Sequence, residues 1–147
     1  MGRTNLHATV VVAGTSGLLI TGRSGAGKSV LAAHLVETLR VHGDFGVLVS
    51  DDRVWLEARG ARLLAEAPDA IAGLVELRGY GPAPTAFEKR TVVDRVVKLV
   101  EPAIAPRHRE PIFETLLGVC LPGLTLPERS VQANVPAVLA WLAGEPG

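Results

Sequence analysis

The chain has 147 residues, of which 48% are apolar and 20% are charged, values typical of a globular protein with a buried core. Lys plus Arg and Asp plus Glu number 15 each, so no excess of positive charge supports binding to nucleic acid. No apolar run reaches the length of a membrane span, and Cys120, the only cysteine, suits a reducing cytoplasm. We therefore expect one cytoplasmic domain over residues 1–147.

The first predicted elements are two strands and a helix joined by glycine-rich segments. A β-branched run at residues 8–13 and an apolar run at residues 18–21 flank a Gly-Thr-Ser-Gly turn, which predicts a β-hairpin. A glycine-rich loop at residues 22–29 follows directly. It opens a helix over residues 28–39, where Val and Leu recur at helical spacing.

The middle of the chain predicts mostly strands. Residues 47–49 form an apolar run bounded by Gly and Asp, which is typical of a buried strand. Residues 53–58 and 62–66 flank an Arg-Gly pair and predict a second hairpin. Residues 68–74 predict a short helix with a proline near its start, and residues 75–78 predict a strand or a loop.

The last part contains many prolines and has weaker patterns. Residues 79–85 predict a loop, and the β-branched residues 91–100 predict one strand. Residues 101–111 predict an exposed connection, and residues 122–127 an irregular stretch. Residues 135–143 predict a final helix with a proline in its first turn, and the whole pattern indicates an α/β fold.

The glycine-rich loop matches the pattern G-x-x-x-x-G-K-[ST] in full. Its glycines allow positive φ angles, and its amides then point into an anion site at a helix N-terminus. Lys28 offers a charge to the β and γ phosphates, and the Ser29 hydroxyl can bind Mg²⁺. An ordinary glycine turn is the alternative. The residues predicted to contact a nucleoside triphosphate are Gly22, Arg23, Ser24, Gly25, Ala26, Gly27, Lys28 and Ser29.

Two adjacent acidic residues, Asp51 and Asp52, directly follow the strand predicted around residues 47–50. Acidic residues at the end of a buried strand are typical of magnesium partners and catalytic carboxylates in proteins with a phosphate loop. One carboxylate can lie near the metal while the other meets an acceptor hydroxyl. The alternative is a solvated turn.

The order of these features resembles the catalytic domain of the HPr kinase/phosphorylase family. His7 precedes the hairpin that leads into the loop, and the acidic pair follows. The sequence Glu-Leu-Arg-Gly-Tyr-Gly at residues 76–81 is similar to the family signature E-[IL]-R-G-x-G. The resemblance covers residues 6–81 and continues more weakly to residue 127. It implies an α/β fold like that of HPr kinase and PEP carboxykinase, in which the hairpin leads into a phosphate loop on a central sheet.

The resemblance also implies the catalytic residues. Lys28 binds the transferred phosphate, and Asp52 takes the proton from the acceptor serine. His7 lies beside that site. An arginine completes the set, and it aligns with Arg107 or, as the alternative, with Arg109.

The implied metal ligands are Ser29 and Glu76, and Asp51 is the further candidate from the acidic pair. The implied reaction is phosphorylation by ATP and Mg²⁺ of a serine on an HPr-like phosphocarrier protein of a phosphotransferase system, with the reverse phosphorylase reaction as a second activity. ATP and pyrophosphate both stay open as donors. Full-length relatives form hexamers, which implies a homo-oligomer.

The chain departs from the family pattern in several places. The resemblance covers the catalytic domain alone, as in short forms of the family. Residues 82–85 replace the usual apolar continuation, and no P-G-R-N-like loop is found. Two other functions stay open: a P-loop small-molecule or nucleotide kinase, with an arginine-bearing lid near Arg107, and a non-catalytic nucleotide-binding regulatory module.

Overall fold

The computed structural model describes residues 2–108 and 110–144. Its central layer is a six-stranded mixed sheet, with the strands in the order β11 (Ile112–Leu116), β12 (Val119–Pro127), β10 (Arg95–Val100), β3 (Ser16–Thr21), β2 (Ala8–Ala13) and β4 (Gly46–Ser50). Strand β10 is parallel to β12 and β3, whereas β2 is antiparallel to both β3 and β4. Strands β3, β4, β10 and β12 therefore all end at the same edge of the sheet.

Other elements cover both faces of the central sheet. One face carries an antiparallel sheet of β1 (Thr4–Leu6), β5 (Val54–Arg59), β6 (Arg62–Glu66) and β9 (Arg90–Val93). The opposite face carries α1 (Lys28–Val41) and α2 (Val131–Gly144). A hairpin of β7 (Leu74–Leu77) and β8 (Gly81–Pro84) packs against α1. Neither helix in the described part of the chain has the length and hydropathy that crossing a bilayer requires.

The two faces of β3 show how the core fixes the position of the loop. Leu18 and Ile20 pack on the helix side, in the same cluster as Leu31 and Leu35 of α1. Leu19 lies between them and packs toward the four-stranded sheet. Each fully buried leucine stabilises the fold by roughly 1.5–3 kcal/mol. Because a slip of one residue would exchange the two faces, the register and the point where β3 ends are strongly specified.

The elements predicted around the glycine-rich loop are confirmed. The first hairpin is β2–β3, the helix over residues 28–39 is α1 and extends to Val41, and the buried strand is β4. The second hairpin is β5–β6. A mixed α/β fold with several sheets is therefore correct.

The prediction of one strand over residues 91–100 is wrong, because the chain changes sheets at Asp94. Strand β9 belongs to the four-stranded sheet, and β10 belongs to the central sheet. The Asp94 amide donates to the Gly17 carbonyl at 2.8 Å, and the Gly17 amide donates to Asp94 Oδ2 at 2.8 Å. A Cβ at Gly17 would overlap the carbonyl oxygen of Val92, so only glycine allows this crossing.

The irregular stretch predicted at residues 122–127 is instead the second half of β12. Its prolines suggested a break, but Pro122 pairs only with Phe113 of β11. Pairing with β10 begins one residue later, at Gly123. Pro122 therefore has a ladder neighbour on one side only, where a missing amide is tolerated. Strand β11 falls in a region for which the sequence predicted no element.

Three further predictions need correction. The helix predicted at residues 68–74 is only a single 3₁₀ turn, Asp69–Ile71, because Gly73 turns the chain into β7 with φ of 78°. The loop predicted at residues 79–85 contains β8, whose prolines lie in a two-stranded sheet without inner strands. Helix α2 begins at Val131 rather than at residue 135, because the Ser130 carbonyl accepts the first helical hydrogen bonds.

Candidate functional site

The glycine-rich loop lies between the end of β3 and the start of α1. Gly25 and Gly27 have φ angles of 84° and 96°, which L-residues with side chains rarely adopt. Gly27 is the N-cap of α1, and no side chain caps this helix end. The first turn of a helix leaves amide groups without intrahelical partners, and the helix dipole favours an anion there. This geometry fits the binding of phosphate.

Lys28 folds back over the loop. Its side chain is only 5% exposed, and its Nζ atom donates to the carbonyl oxygens of Gly22 at 2.9 Å and Arg23 at 3.2 Å. The same Nζ atom lies 3.9 Å from Asp52 Oδ1. The cation and one member of the acidic pair therefore meet, although they are separated by β4 and most of α1 in the sequence.

The two aspartates after β4 have different surroundings. Asp51 is buried, and its Oδ1 atom accepts from Ser29 Oγ at 2.5 Å and from Thr9 Oγ1 at 3.1 Å. Its Oδ2 atom accepts from the Glu76 amide at 2.8 Å. Asp52 is 61% exposed and has a left-handed φ of 66°. Asp51 therefore links three segments of the site, whereas the Asp52 carboxylate lies exposed beside Lys28, where a ligand can reach it.

Thr9 is a site residue that the sequence did not indicate. It is fully buried in β2, and its hydroxyl donates to Asp51 and accepts from the Asp52 amide at 3.1 Å. Threonine is common in β-strands, so its presence in a β-branched run gave no signal for this role.

A cavity of about 600 Å³ lies beside the loop. One wall is formed by residues 25–31 with Asp52 and the turn at residues 76–81. A second wall is formed mainly by Arg129, Ser130, Val131 and Asn134. Cavities of this size are typical of sites for small molecules.

The second wall is tied to the loop through Glu128 and Arg129. The buried Glu128 carboxylate accepts from Arg23 Nε and Nη2, each at 2.9 Å, and Glu101 accepts from Arg23 Nη1 at 3.0 Å. The hydrogen bond and charge of Glu128, together with the charge of Glu101, raise the pKa of the Arg23 guanidinium above its ordinary value. Arg129 donates from its backbone amide to the Ala26 carbonyl at 3.0 Å.

The sequence named Arg23 but missed its partner Glu128. The signal that found Asp51 and Asp52, an acidic residue directly after a strand, also applies to Glu128 at the end of β12. It was lost because residues 122–127 did not suggest a strand. The two sets of residues meet because β3, β4 and β12 end at one edge of the sheet.

Some predicted site residues lie elsewhere. His7 is exposed in the turn between β1 and β2 and does not line the cavity beside the loop. Arg107 lines a second cavity of about 380 Å³, next to Trp141 of α2. Arg109 lies outside the described residues. The roles of these residues stay predictions, as do those of Gly22, Arg23 and Ser24 toward a nucleotide.

Oxygen donors for a metal are present singly rather than as a cluster. Within residues 2–108 and 110–144, no group of three or more His, Cys, Asp or Glu side chains is placed to hold a metal ion. Ser29 and Glu76 line the cavity and can each offer one oxygen. Asp51 reaches the cavity through its hydrogen bond with Ser29, so a direct contact of Asp51 with a metal stays a prediction.

The chain is similar to known proteins over much of its length. The HPr kinase/phosphorylase of Clostridium tetani is 36% identical over 93 residues, which cover 62% of this chain and 28% of that protein. The HPr kinase/phosphorylase of Leptothrix cholodnii is 32% identical over 148 aligned positions, which cover 92% of this chain and 42% of that protein. The chain thus spans less than half the length of either relative.

A solved structure and a family model agree with these matches. The structure of the Hpr(Ser) kinase/phosphatase from Coxiella burnetii matches with a TM-score of 0.77 and 25% identity, over 95% of this chain and 93% of that chain. Residues 1–101 match the model of the HPr serine kinase C-terminal domain. The resemblance seen in the motifs is confirmed, and the chain belongs to the HPr serine kinase C-terminal domain family.

Proposed function

We propose that this chain is an ATP- and Mg²⁺-dependent serine kinase that phosphorylates an HPr-like phosphocarrier protein. The proposal treats residues 1–147 as one catalytic domain and residues 22–29 as its phosphate-binding P-loop. The observation that carries it is the meeting of Lys28 and Asp52, whose Nζ and Oδ1 atoms are 3.9 Å apart beside the cavity. Phosphoryl transfer to a hydroxyl needs both a cation for phosphate oxygens and a carboxylate for the hydroxyl proton.

The loop and cavity fit a nucleoside triphosphate. Gly25 and Gly27 hold the left-handed backbone that brings amides toward an anion, and Lys28 adds a charge at the same point. The lining of the cavity of about 600 Å³ also includes Val131, which offers apolar surface to a nucleoside. Phosphates would lie on the loop and the base near Val131.

The oxygen donors beside the cavity fit Mg²⁺, the second component of a Mg-ATP complex. Mg²⁺ takes oxygen ligands and keeps several waters, so it needs few ligands from the protein when phosphates supply others. Ser29 and Glu76 provide a hydroxyl and a carboxylate beside the cavity. Asp51 accepts hydrogen bonds from the Ser29 hydroxyl and from the Glu76 amide, and so orients both residues.

The chain's own residues then divide the work. When bound, ATP supplies the transferred phosphoryl group, and Mg²⁺ neutralises part of its charge. Lys28 would neutralise negative charge on the phosphate oxygens. Its ammonium is already held in position by two loop carbonyls, so little reorganisation is needed. Asp52 accepts the proton of the acceptor hydroxyl as its oxygen becomes the nucleophile.

The exposure of Asp52 favours a protein as the acceptor. Its side chain is 61% exposed, although its neighbour Asp51 is buried. Leu77 and Tyr80 line the same cavity, are exposed, and offer apolar contact area. A serine on the surface of a folded carrier can therefore reach Asp52 without entering the core.

The proposal is tested by incubating the purified chain with γ-labelled ATP, Mg²⁺ and a candidate HPr-like carrier, and then mapping the label by mass spectrometry. We expect label on one serine of the carrier, none with excess EDTA, and none on the Ser→Ala carrier. Parallel reactions use pyrophosphate as donor and nucleoside monophosphates as acceptors. Transfer only to a small acceptor, or binding of Mg-ATP without any transfer, would contradict the proposal.

We also propose that the chain forms a homo-oligomer, as the resemblance to hexameric relatives implies. Light scattering coupled to size-exclusion chromatography measures the mass directly. A monomer at every concentration, with or without Mg-ATP, would contradict this part of the proposal and leave the kinase activity to its own assay.

A further inference from the structure

We propose that Glu128 is a positioning residue, which holds the glycine-rich loop in its phosphate-binding shape through Arg23 and through the backbone of Arg129. The role rests on the proposed function only for its effect on nucleotide binding. The shape of the loop itself can be measured without any nucleotide.

The geometry of the Arg23–Glu128 pair is that of a bidentate clamp. Both carboxylate oxygens of Glu128 accept from the guanidinium, with Nε and Nη2 each at 2.9 Å. Such paired contacts are stronger and more directional than a single ion pair. Arg23 is the second residue of the loop, so the clamp acts where the chain leaves β3.

Burial of the side chain and a backbone hydrogen bond to β10 hold Glu128 itself in place. Its side chain is only 2% exposed, and its amide donates to the Val100 carbonyl at 2.8 Å, at the end of β10. A buried carboxylate needs partners, and Glu128 has Arg23 and, at 3.6 Å, Arg129 Nη2. The clamp therefore connects the loop to the rigid edge where β10 and β12 end.

The next residue holds the other side of the same loop. The Arg129 amide donates to the Ala26 carbonyl at 3.0 Å, and Arg129 Nη1 donates to the Gly25 carbonyl at 3.2 Å. Arg129 adopts a left-handed φ of 52°, which a residue with a side chain adopts only when its surroundings require it. Glu128 and Arg129 together thus contact the loop at three residues, Arg23, Gly25 and Ala26.

The loop needs such support because α1 provides little of its own. No side chain caps the N-terminus of α1, and its first turn contains no acidic residue. A loop with two left-handed glycines loses much conformational entropy when it is fixed. Holding it in advance lowers the cost of binding phosphates.

The test is amide hydrogen exchange, resolved by residue and measured without nucleotide. The reporters are the Ala26 amide, which donates to the Arg23 carbonyl at 3.0 Å, and the Arg129 amide. We expect Glu128→Gln to speed exchange at both reporters by roughly tenfold or more, since a charge-assisted bidentate contact is lost. Exchange in strands distant from the loop should not change.

Two further variants control the test. Arg23→Gln removes the same clamp from the solvent side, so it reports on the clamp even where Glu128→Gln folds poorly. Glu57→Gln removes another Arg–Glu contact, with Arg59 Nε at 3.0 Å in β5, and should leave both reporters unchanged. Unchanged exchange at Ala26 and Arg129 in both clamp variants, or an equal increase at every amide of the chain, would overturn the proposal.

The consequence for function is measured separately. If the chain binds Mg-ATP, Glu128→Gln should raise the KM for ATP by roughly tenfold, as expected for a lost charge-assisted contact, and lower kcat much less. A fall in kcat at constant KM would contradict a role in positioning the loop. A wild-type chain that does not bind Mg-ATP would refute the proposed function, whereas the exchange rates would still decide the role of Glu128.

Discussion

The two walls of the cavity differ in how the sequence encodes them. One wall is formed by the glycine-rich loop, Asp52 and the turn at residues 76–81, all within the range that matches the family model. The other wall, residues 129–134, lies beyond that range. The first wall contains short sequence motifs that supply an ammonium, a hydroxyl and carboxylates, at Lys28, Ser29, Asp52 and Glu76. The second reaches the loop only because β12 lies beside β10. We infer that the first wall does the chemistry and the second shapes and holds it.

The largest effect should follow a change at the acid of the first wall. Asp52→Asn keeps the size of the side chain, and asparagine tolerates the left-handed backbone at this position as aspartate does. It removes the carboxylate that we propose accepts the serine proton. We expect kcat for carrier phosphorylation to fall roughly 10²- to 10⁴-fold, while the Kd of Mg-ATP changes little. Steady-state kinetics and calorimetry measure the two quantities.

The matched control is Asp44→Asn, which changes an exposed aspartate in the loop after α1. It should retain the wild-type rate. If Asp52→Asn retained it as well, the motif-bearing wall would not contain the base, and the division of work between the walls would fail at its main point.

The cations of the two walls allow a direct comparison. Lys28→Met removes a charge that is 5% exposed, together with the hydrogen bonds that Nζ donates to the carbonyls of Gly22 and Arg23. We expect Mg-ATP to bind on the order of a hundredfold more weakly. Arg129→Met removes a half-exposed guanidinium and one bond to Gly25, and should weaken binding only by roughly threefold to tenfold. Calorimetric titration of both variants tests this order, and the reverse order would show that the second wall dominates binding.

The difference between the walls also explains what the sequence could predict. The hairpin, the loop and α1 are contiguous, and each has a local signal: β-branched and apolar runs around a turn, glycines, and helical spacing. The acidic pair was found because β4 is an apolar run that ends directly before it. These features place most of the first wall without any knowledge of distant contacts.

The second wall depends on pairing between distant segments, which a single sequence does not reveal. Strand β12 contains Pro122, and its regularity comes from β10 and β11 rather than from its own composition. The start of α2 was misplaced because Pro136 resembled a first-turn proline, whereas the helix begins at Val131, and the Ser130 carbonyl accepts its first hydrogen bonds. The contact of Glu128 with Arg23 follows from these long-range pairings, and so it could not be predicted.

A smaller effect is expected behind the first wall, at Thr9. Thr9→Val keeps the shape of a fully buried side chain but removes the hydroxyl that joins Asp51 Oδ1 to the Asp52 amide. The amide would then be left without its partner. We expect the free energy of unfolding to fall by roughly 1–2 kcal/mol. Urea denaturation measures it, with Thr115→Val on the exposed side of β11 as the control. Equal stability of both variants would mean that the hydroxyl does not support the acidic pair.

The smallest effect is expected at an ion pair outside both walls. Lys89 donates a hydrogen bond to exposed Asp69, and this bond and the lysine charge lower the pKa of the aspartate. Because the folded-state pKa is below the unfolded value, the pair stabilises the fold above about pH 4 and loses that effect as the pH falls. Asp69→Asn should therefore lower Tm by about one degree or less at pH 7, and the difference from wild type should shrink as the pH falls below about 4. A loss in Tm that exceeded that of Thr9→Val, or that persisted in acid, would show that exposed pairs stabilise this fold as much as the buried contacts around the loop do.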